Sequence, residues 1–301
     1  MSAAKHLKKL AVTAAFVTAS LIASISAEAG EGSFGWIYTL DLQPKGTWEF
    51  EQKAFLQYGQ SQGTYDNWQF KSELEYGVSE NYQIGMYANT SYVNAYRNGI
   101  DGQTGGPGTD LRDGFDTSNR YKRLRFESFS FENIWRLTNP VTDPIGIGLY
   151  LEPELGPRTQ ELEARLLLQK NFMDDRLIVA SNITFATERE RASGVLELGS
   201  MLDTSLGFSY RFANNMTAGL EYRNHREFLG NWLESREHSA HFLGPNFHYA
   251  AKDWWMTVAW RHQMPWVKTF NQAQADVVVN GKIFGDEHAR DEVMLKVGFP
   301  F

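Results

Sequence analysis

Apolar and polar residues alternate along most of the chain. In "TWEFEQKAFLQY", Trp48, Phe50, Ala54, Leu56 and Tyr58 fall on one side, and Glu49, Glu51, Lys53 and Gln57 on the other. "NWQFKSELEY" repeats the pattern, with Trp68, Phe70, Leu74 and Tyr76 set against Asn67, Gln69, Lys71, Glu73 and Glu75. In "IGIGLYLEPEL", Ile145, Ile147, Leu149, Leu151 and Leu155 alternate with Gly146, Gly148, Tyr150, Glu152 and Glu154. A period of two sends successive side chains to opposite faces, so each run is a strand with one apolar and one polar face.

A soluble sandwich would alternate in the same way, and strand length separates the two cases. The runs are about 10–15 residues long, against roughly 5–6 for soluble strands and ~9–11 for a tilted strand crossing a bilayer. Twelve are expected, at 47–58, 66–77, 82–93, 122–136, 145–155, 161–172, 177–187, 195–210, 216–225, 237–249, 254–263 and 288–301. Every second connection is short, while those at 94–121, 226–236 and 264–287 are long. Tight turns at one end and longer loops at the other are the layout of an outer-membrane barrel. Tyr76, Tyr82, Trp135, Phe172, Tyr210, Phe212, Tyr249 and Trp254 flank the short connections, where amphipathic rings suit a membrane–water boundary. The pattern predicts an all-β fold, a transmembrane antiparallel β-barrel of about 12 strands over 47–301. Residues 30–46 precede it as a periplasmic-side segment or plug, or as an extra strand around Trp36–Leu42.

The first 29 residues read as a signal peptide. Lys5, Lys8 and Lys9 precede the apolar "AVTAAFVTASLIASI", and Ala27 and Ala29 are small residues at a cleavage site before Gly30. Removing residues 1–29 takes away three Lys and one Glu, which moves the net charge from −7 to −9. Cysteine is absent, which excludes disulfides, thiolate metal sites and cysteine nucleophiles. A pI near 5.6 argues against nucleic acid as a partner.

At the other end, Val293, Leu295, Val297, Phe299 and Phe301 repeat at two-residue spacing. This run resembles the C-terminal signal read by the outer-membrane barrel assembly machinery. The resemblance implies that machinery as a partner during biogenesis, outer-membrane lipid as surroundings, and the outer membrane of a Gram-negative bacterium as destination after export. "GWIYTLDLQPKGTWEFEQ", "LEYGVSENYQIGMY" and "FLGPNFHYA" resemble a family of uncharacterised proteobacterial outer-membrane barrels, a domain of unknown function. That resemblance implies fold and location, and supplies no activity.

The polar faces carry what chemistry there is. Glu49, Glu51, Glu73, Glu75, Glu152, Glu154, Glu163 and Glu221 are expected to line the lumen with Lys53, Lys71, Arg165 and Arg223. Both signs in one confined space predict cross-strand ion pairs. Glu161, Glu197, Asp203, Glu292, Arg290 and Lys296 share the same register, and the acidic excess would favour cations in a conducting lumen. Walker-type nucleotide-binding and H-E-x-x-H motifs are absent. His238 and Ser239 point to opposite strand faces and cannot pair, and His238 and His241 likewise face apart. His225, His238 and Glu237 form the best remaining cluster. The acids of the 94–121 loop, Asp101, Asp110, Asp113 and Asp116, lack calcium-loop spacing, so a solvated loop is expected there. The sequence thus predicts no enzyme, no cofactor and no metal centre. It predicts a narrow, weakly cation-preferring channel for small solutes or ions, or a non-conducting barrel whose long loops contact an outside partner.

Overall fold

A computed structural model describes residues 31–60, 62–99, 102–105, 111, 114–192, 195–267, 278–279, 282–285 and 289–301. The expected signal peptide lies outside the described residues. Among them the strands are β1 (Trp48–Tyr58), β2 (Thr64–Ser79), β3 (Tyr82–Tyr96), β4 (Tyr121–Arg136), β5 (Gly146–Leu155), β6 (Thr159–Phe172) and β7 (Leu177–Ala192). They continue with β8 (Val195–Ala213), β9 (Met216–Leu229), β10 (Ser235–Ala250), β11 (Trp255–Met264), the short hairpin β12 (Val278–Val279) and β13 (Lys282–Ile283), and β14 (Asp291–Pro300). β1 to β11 and β14 form one closed antiparallel barrel of twelve strands.

Closure runs through β1 and β14, paired from Glu49 opposite Pro300 to Tyr58 opposite Asp291. Pro300 has no N–H, and the ladder is completed beyond it. Trp48 donates to the Phe301 carbonyl at 3.0 Å, and Phe301 donates back at 2.8 Å. A closed sheet leaves no unpaired edge, the condition for strands in an apolar solvent. Apolar residues at outward positions are exposed, among them Phe50, Phe131, Leu149, Leu206, Trp260 and Leu295. At the short-turn end rings pair across strands, Trp48 with Tyr76 at 4.5 Å and Tyr82 with Trp135 at 5.2 Å.

Several strands run further than the alternation suggests. β7 continues to Ala192 and β9 to Leu229, so the connection expected at 226–236 shrinks to 230–234. In β7 the ladder outlasts the apolar band: Glu188, Arg189, Glu190 and Arg191 make both faces polar, and hydrophobic periodicity no longer marks the strand. Two bulges also shift parity. In β4, Phe126 and Ser128 face successive residues of β3, so Glu127 is extra and the outward set passes from Phe126 to Phe129 and Phe131. In β10, the register shifts between Arg236 and His238.

The loop after β3 is less solvated than its composition implies. Thr104 is buried and its hydroxyl donates to the Asn119 carbonyl at 2.6 Å. Leu111 and Phe115 pack on a cluster of Tyr65, Val93, Ala95 and Tyr121, which covers apolar residues at the ends of β2, β3 and β4. Asp116 is held by Ser118 and Asn119, while Asp101, Asp110 and Asp113 lie outside the described residues.

Candidate functional site: the lumen and the segment inside it

Residues 31–46 enter the barrel rather than join its sheet. After a single 3-10 turn at Glu31–Ser33 the chain is irregular, so the extra strand envisaged around Trp36–Leu42 does not form. The reason lies in the backbone N–H groups between Gly35 and Gln43, which donate to wall side chains instead of a neighbouring strand. Gly35 and Trp36 donate from their backbones to the two carboxylate oxygens of Glu221 at 2.6 and 3.0 Å. Tyr38 donates to Asn182 at 2.7 Å and accepts from the same amide at 2.9 Å. Leu40 donates to Gln169 at 2.5 Å and Gln43 to Gln83 at 2.7 Å. Buried backbone polar groups need partners, and here inward polar side chains of β9, β7, β6 and β3 supply them. All lie towards the short-turn ends of their strands.

The apolar side chains of the segment fit a complementary wall. Phe34 and Ile37 are buried with Ile178 and Ala180, and Leu40 with Ile134, Tyr150 and Leu167. Two wall glycines make the space. A Cβ at Gly207 would meet Ile37 at 2.6 Å and Phe34 at 2.8 Å, and one at Gly148 would collide with Leu40. The rings of the segment sit on cations: Arg261 lies 3.9 Å from the Trp36 ring centroid and Arg165 4.4 Å from that of Tyr38. Such contacts are worth about 0.5–2 kcal/mol each, more as water is excluded.

The charges expected in the lumen all occupy inward positions. Glu49, Glu51, Lys53, Glu73, Glu75, Glu152, Glu163 and Glu221 are buried, and Lys71, Glu154, Arg165 and Arg223 are half-buried. Their pairing differs from a directly opposed ladder. Glu49 faces Glu75, Glu51 faces Glu73, and Lys53 faces both Lys71 and Lys296. Like charges directly opposite are unfavourable, and the diagonals offset this. Lys53 lies 2.8 Å from Glu73 and 3.6 Å from Glu51, and Lys296 lies 3.8 Å from Glu51. Elsewhere Arg165 pairs with Glu163 at 2.5 Å, Lys71 with Glu152 at 3.5 Å, and Arg223 with Asp203. Ser128 and Ser130 hold Glu154 at 2.6 and 3.0 Å, and Trp255 holds Glu49 at 3.0 Å.

Several lumen residues escaped the sequence reading. Glu132, buried and bonded to Tyr87, was hidden by the Glu127 bulge that changes parity in β4. Arg261, paired with Glu292, and the amides Gln83, Gln169 and Asn182 were legible as polar residues at inward positions. Among the described residues, the buried set holds ten carboxylates against three Lys or Arg. Glu197, by contrast, is exposed at the long-loop end, and Arg290 precedes β14.

His225 and His238 do approach, with ring centroids 5.4 Å apart. Their carboxylate is Glu227 rather than Glu237. Glu237 is the residue left over at the β10 bulge and is exposed, whereas Glu227 sits directly opposite His238.

Residues 26–301 match the model of a family described as a family of unknown function, DUF6662. The chain belongs to that family. No curated protein matches it. Its fold is similar to that of the COG4313 outer membrane channel from Pseudomonas putida F1, with a TM-score of 0.57 at 6% identity over 86% of this chain and 97% of that one. It is also similar to the NanC porin, with a TM-score of 0.50 at 10% identity over 83% of this chain and 98% of that one. At these identities the likeness is one of fold.

Proposed function

We propose that this protein is an outer-membrane barrel of a Gram-negative bacterium that works as a narrow, weakly cation-preferring channel, held shut by residues 31–46. The observation that carries this reading is how the segment is held. From Gly35 to Gln43 its backbone donates to side chains of the wall, at Glu221, Asn182, Gln169 and Gln83, and it meets a strand backbone at its end, where Gly46 donates to the Gly77 carbonyl of β2 at 2.7 Å. Its departure would therefore break no barrel hydrogen bond between strands. The acid-rich wall supports the cation preference, because a ring of carboxylates lowers the barrier for a cation and raises it for an anion. The outward apolar face and the aromatic pairs at the short-turn end support membrane residence.

A second reading rests on the completeness of the filling. Phe34, Ile37 and Leu40 are at most 1% exposed, as in a permanent core, which favours a non-conducting structural barrel. Reversal potentials in planar bilayers under a potassium chloride gradient separate the two. The channel reading expects brief openings with a cation-selective potential. Complete silence at all voltages, with and without the segment, favours the structural barrel, and an anion-selective potential overturns the role given to the carboxylates.

A further inference from the structure

We propose that His225, Glu227 and His238 form a binding site for a divalent transition-metal ion of the zinc type, in the half of the lumen nearest the long loops. The site is built by register. His225 and Glu227 are two residues apart on β9 and share its inward face, and the bulge in β10 sets His238 opposite Glu227. One ligand atom from each of the three lies within 4.8 Å of the others. His225 Nε2 is 3.0 Å from Glu227 Oε1, and His238 Nε2 is 3.4 Å from Glu227 Oε2. Bonds of ~2.0–2.1 Å at tetrahedral angles put ligand atoms about 3.3 Å apart, so the observed spacings bracket what such an ion requires.

The far side of His225 is arranged to match. Its Nδ1 lies 2.8 Å from Asp203 Oδ1 and 2.8 Å from Arg223 Nη2. An Nδ1–H would donate to Asp203 Oδ1, whereas a bare Nδ1 would accept from Arg223 Nη2. The first tautomer, the one a metal at Nε2 requires, turns the lone pair of Nε2 towards Glu227. Two acceptors at 3.0 Å repel unless a proton or a metal cation joins them. A carboxylate behind a metal-binding imidazole is the usual support that fixes its tautomer and orientation. The neighbouring Arg223 charge is matched by Asp203 and, at 3.9 Å, by Glu292. Access is open on one side, since the side chains of Glu227 and His238 keep 34% and 13% exposure. Imidazole nitrogen with one carboxylate selects zinc-like ions over calcium, which takes six or more oxygens.

The competing account is an imidazolium at His225 paired with both acids and no metal at all. Isothermal titration of zinc chloride into the full detergent-folded barrel distinguishes them, with calcium chloride as control. The expected result is one zinc equivalent bound, at least about tenfold weaker binding in His238→Gln and in Glu227→Gln, and no displacement by calcium. Cobalt(II) added to the unmutated protein is expected to give the intense visible bands of a tetrahedral site, a readout independent of how the variants fold. Absence of zinc binding, equal binding by folded variants, equal competition by calcium, or an octahedral cobalt spectrum each overturns the proposal.

Discussion

In the half of the lumen bounded by the short turns, Leu40 and Phe34 have no exposure, and segment and wall interlock. In the half below the long loops, the side chains of Glu227 and His238 remain partly exposed. The first half is filled by chain; amides and one carboxylate of the wall accept from its backbone N–H groups, and Arg136 and Thr257 donate to its carbonyls. The second is lined by ionisable groups that have one another for partners. Between them lies the band of Glu51, Lys53, Glu73 and Lys296. On the proposed function closure belongs to one end and ion contact to the other, so substitutions at the two ends should have separable effects.

The largest effect on the folded barrel is expected in the band between them. Lys53→Met leaves the buried Glu51 and Glu73 without the cation they share. Removing one partner of a buried pair costs about 3–5 kcal/mol, to be read from denaturant unfolding of the barrel in detergent. A loss under ~1 kcal/mol, the range of an exposed pair, would mean that water screens this band and that the lumen is wetter than described.

A smaller and more local effect is expected from Gly207→Val, where the new side chain would overlap Ile37 and Phe34. Overpacking of this kind costs about 1–3 kcal/mol, and the segment can escape it by leaving. Amide exchange at Gly35, Trp36, Tyr38 and Leu40 is expected to accelerate while β7 and β8 keep their protection. Equal acceleration in the strands would show that segment and wall are one cooperative unit, and the contrast between the two halves would fail.

The smallest effect on stability is expected at the seam. Phe301→Ala keeps the backbone bonds to Trp48 and removes an exposed ring. About 0–1 kcal/mol is expected for a change at this depth. The proposal that Val293, Leu295, Val297, Phe299 and Phe301 act as an assembly signal expects a defect in insertion instead, seen by outer-membrane fractionation. Normal fractionation together with lost stability would reverse that assignment.

The outward face was legible because one solvent imposes one requirement on every strand. Trp48, Phe50, Leu74, Leu149 and Leu151 fit the two-residue repeat, and twelve strands follow from it. The inner face answers to several partners at once. Gly148, Ile178 and Ala180 are inward yet small or apolar because Leu40, Phe34 and Ile37 lie against them, a requirement set by residues over a hundred positions away in the chain. The "GIGLY" stretch carried the trace of it, since glycine in a strand marks a close approach. Bulges hid the rest: one extra residue at Glu127 concealed Glu132, and one at Glu237 made the wrong glutamate look adjacent to His238.

The most direct test of the account is the current through single barrels in a planar bilayer, with and without residues 31–46, after heat-modifiable gel mobility has shown both forms folded. The account predicts that the intact chain rests closed, and that the shortened chain gives a steady, cation-selective current. A shortened barrel that stays closed, or an intact chain that already conducts at the level of the shortened one, would contradict the claim that this segment closes the lumen.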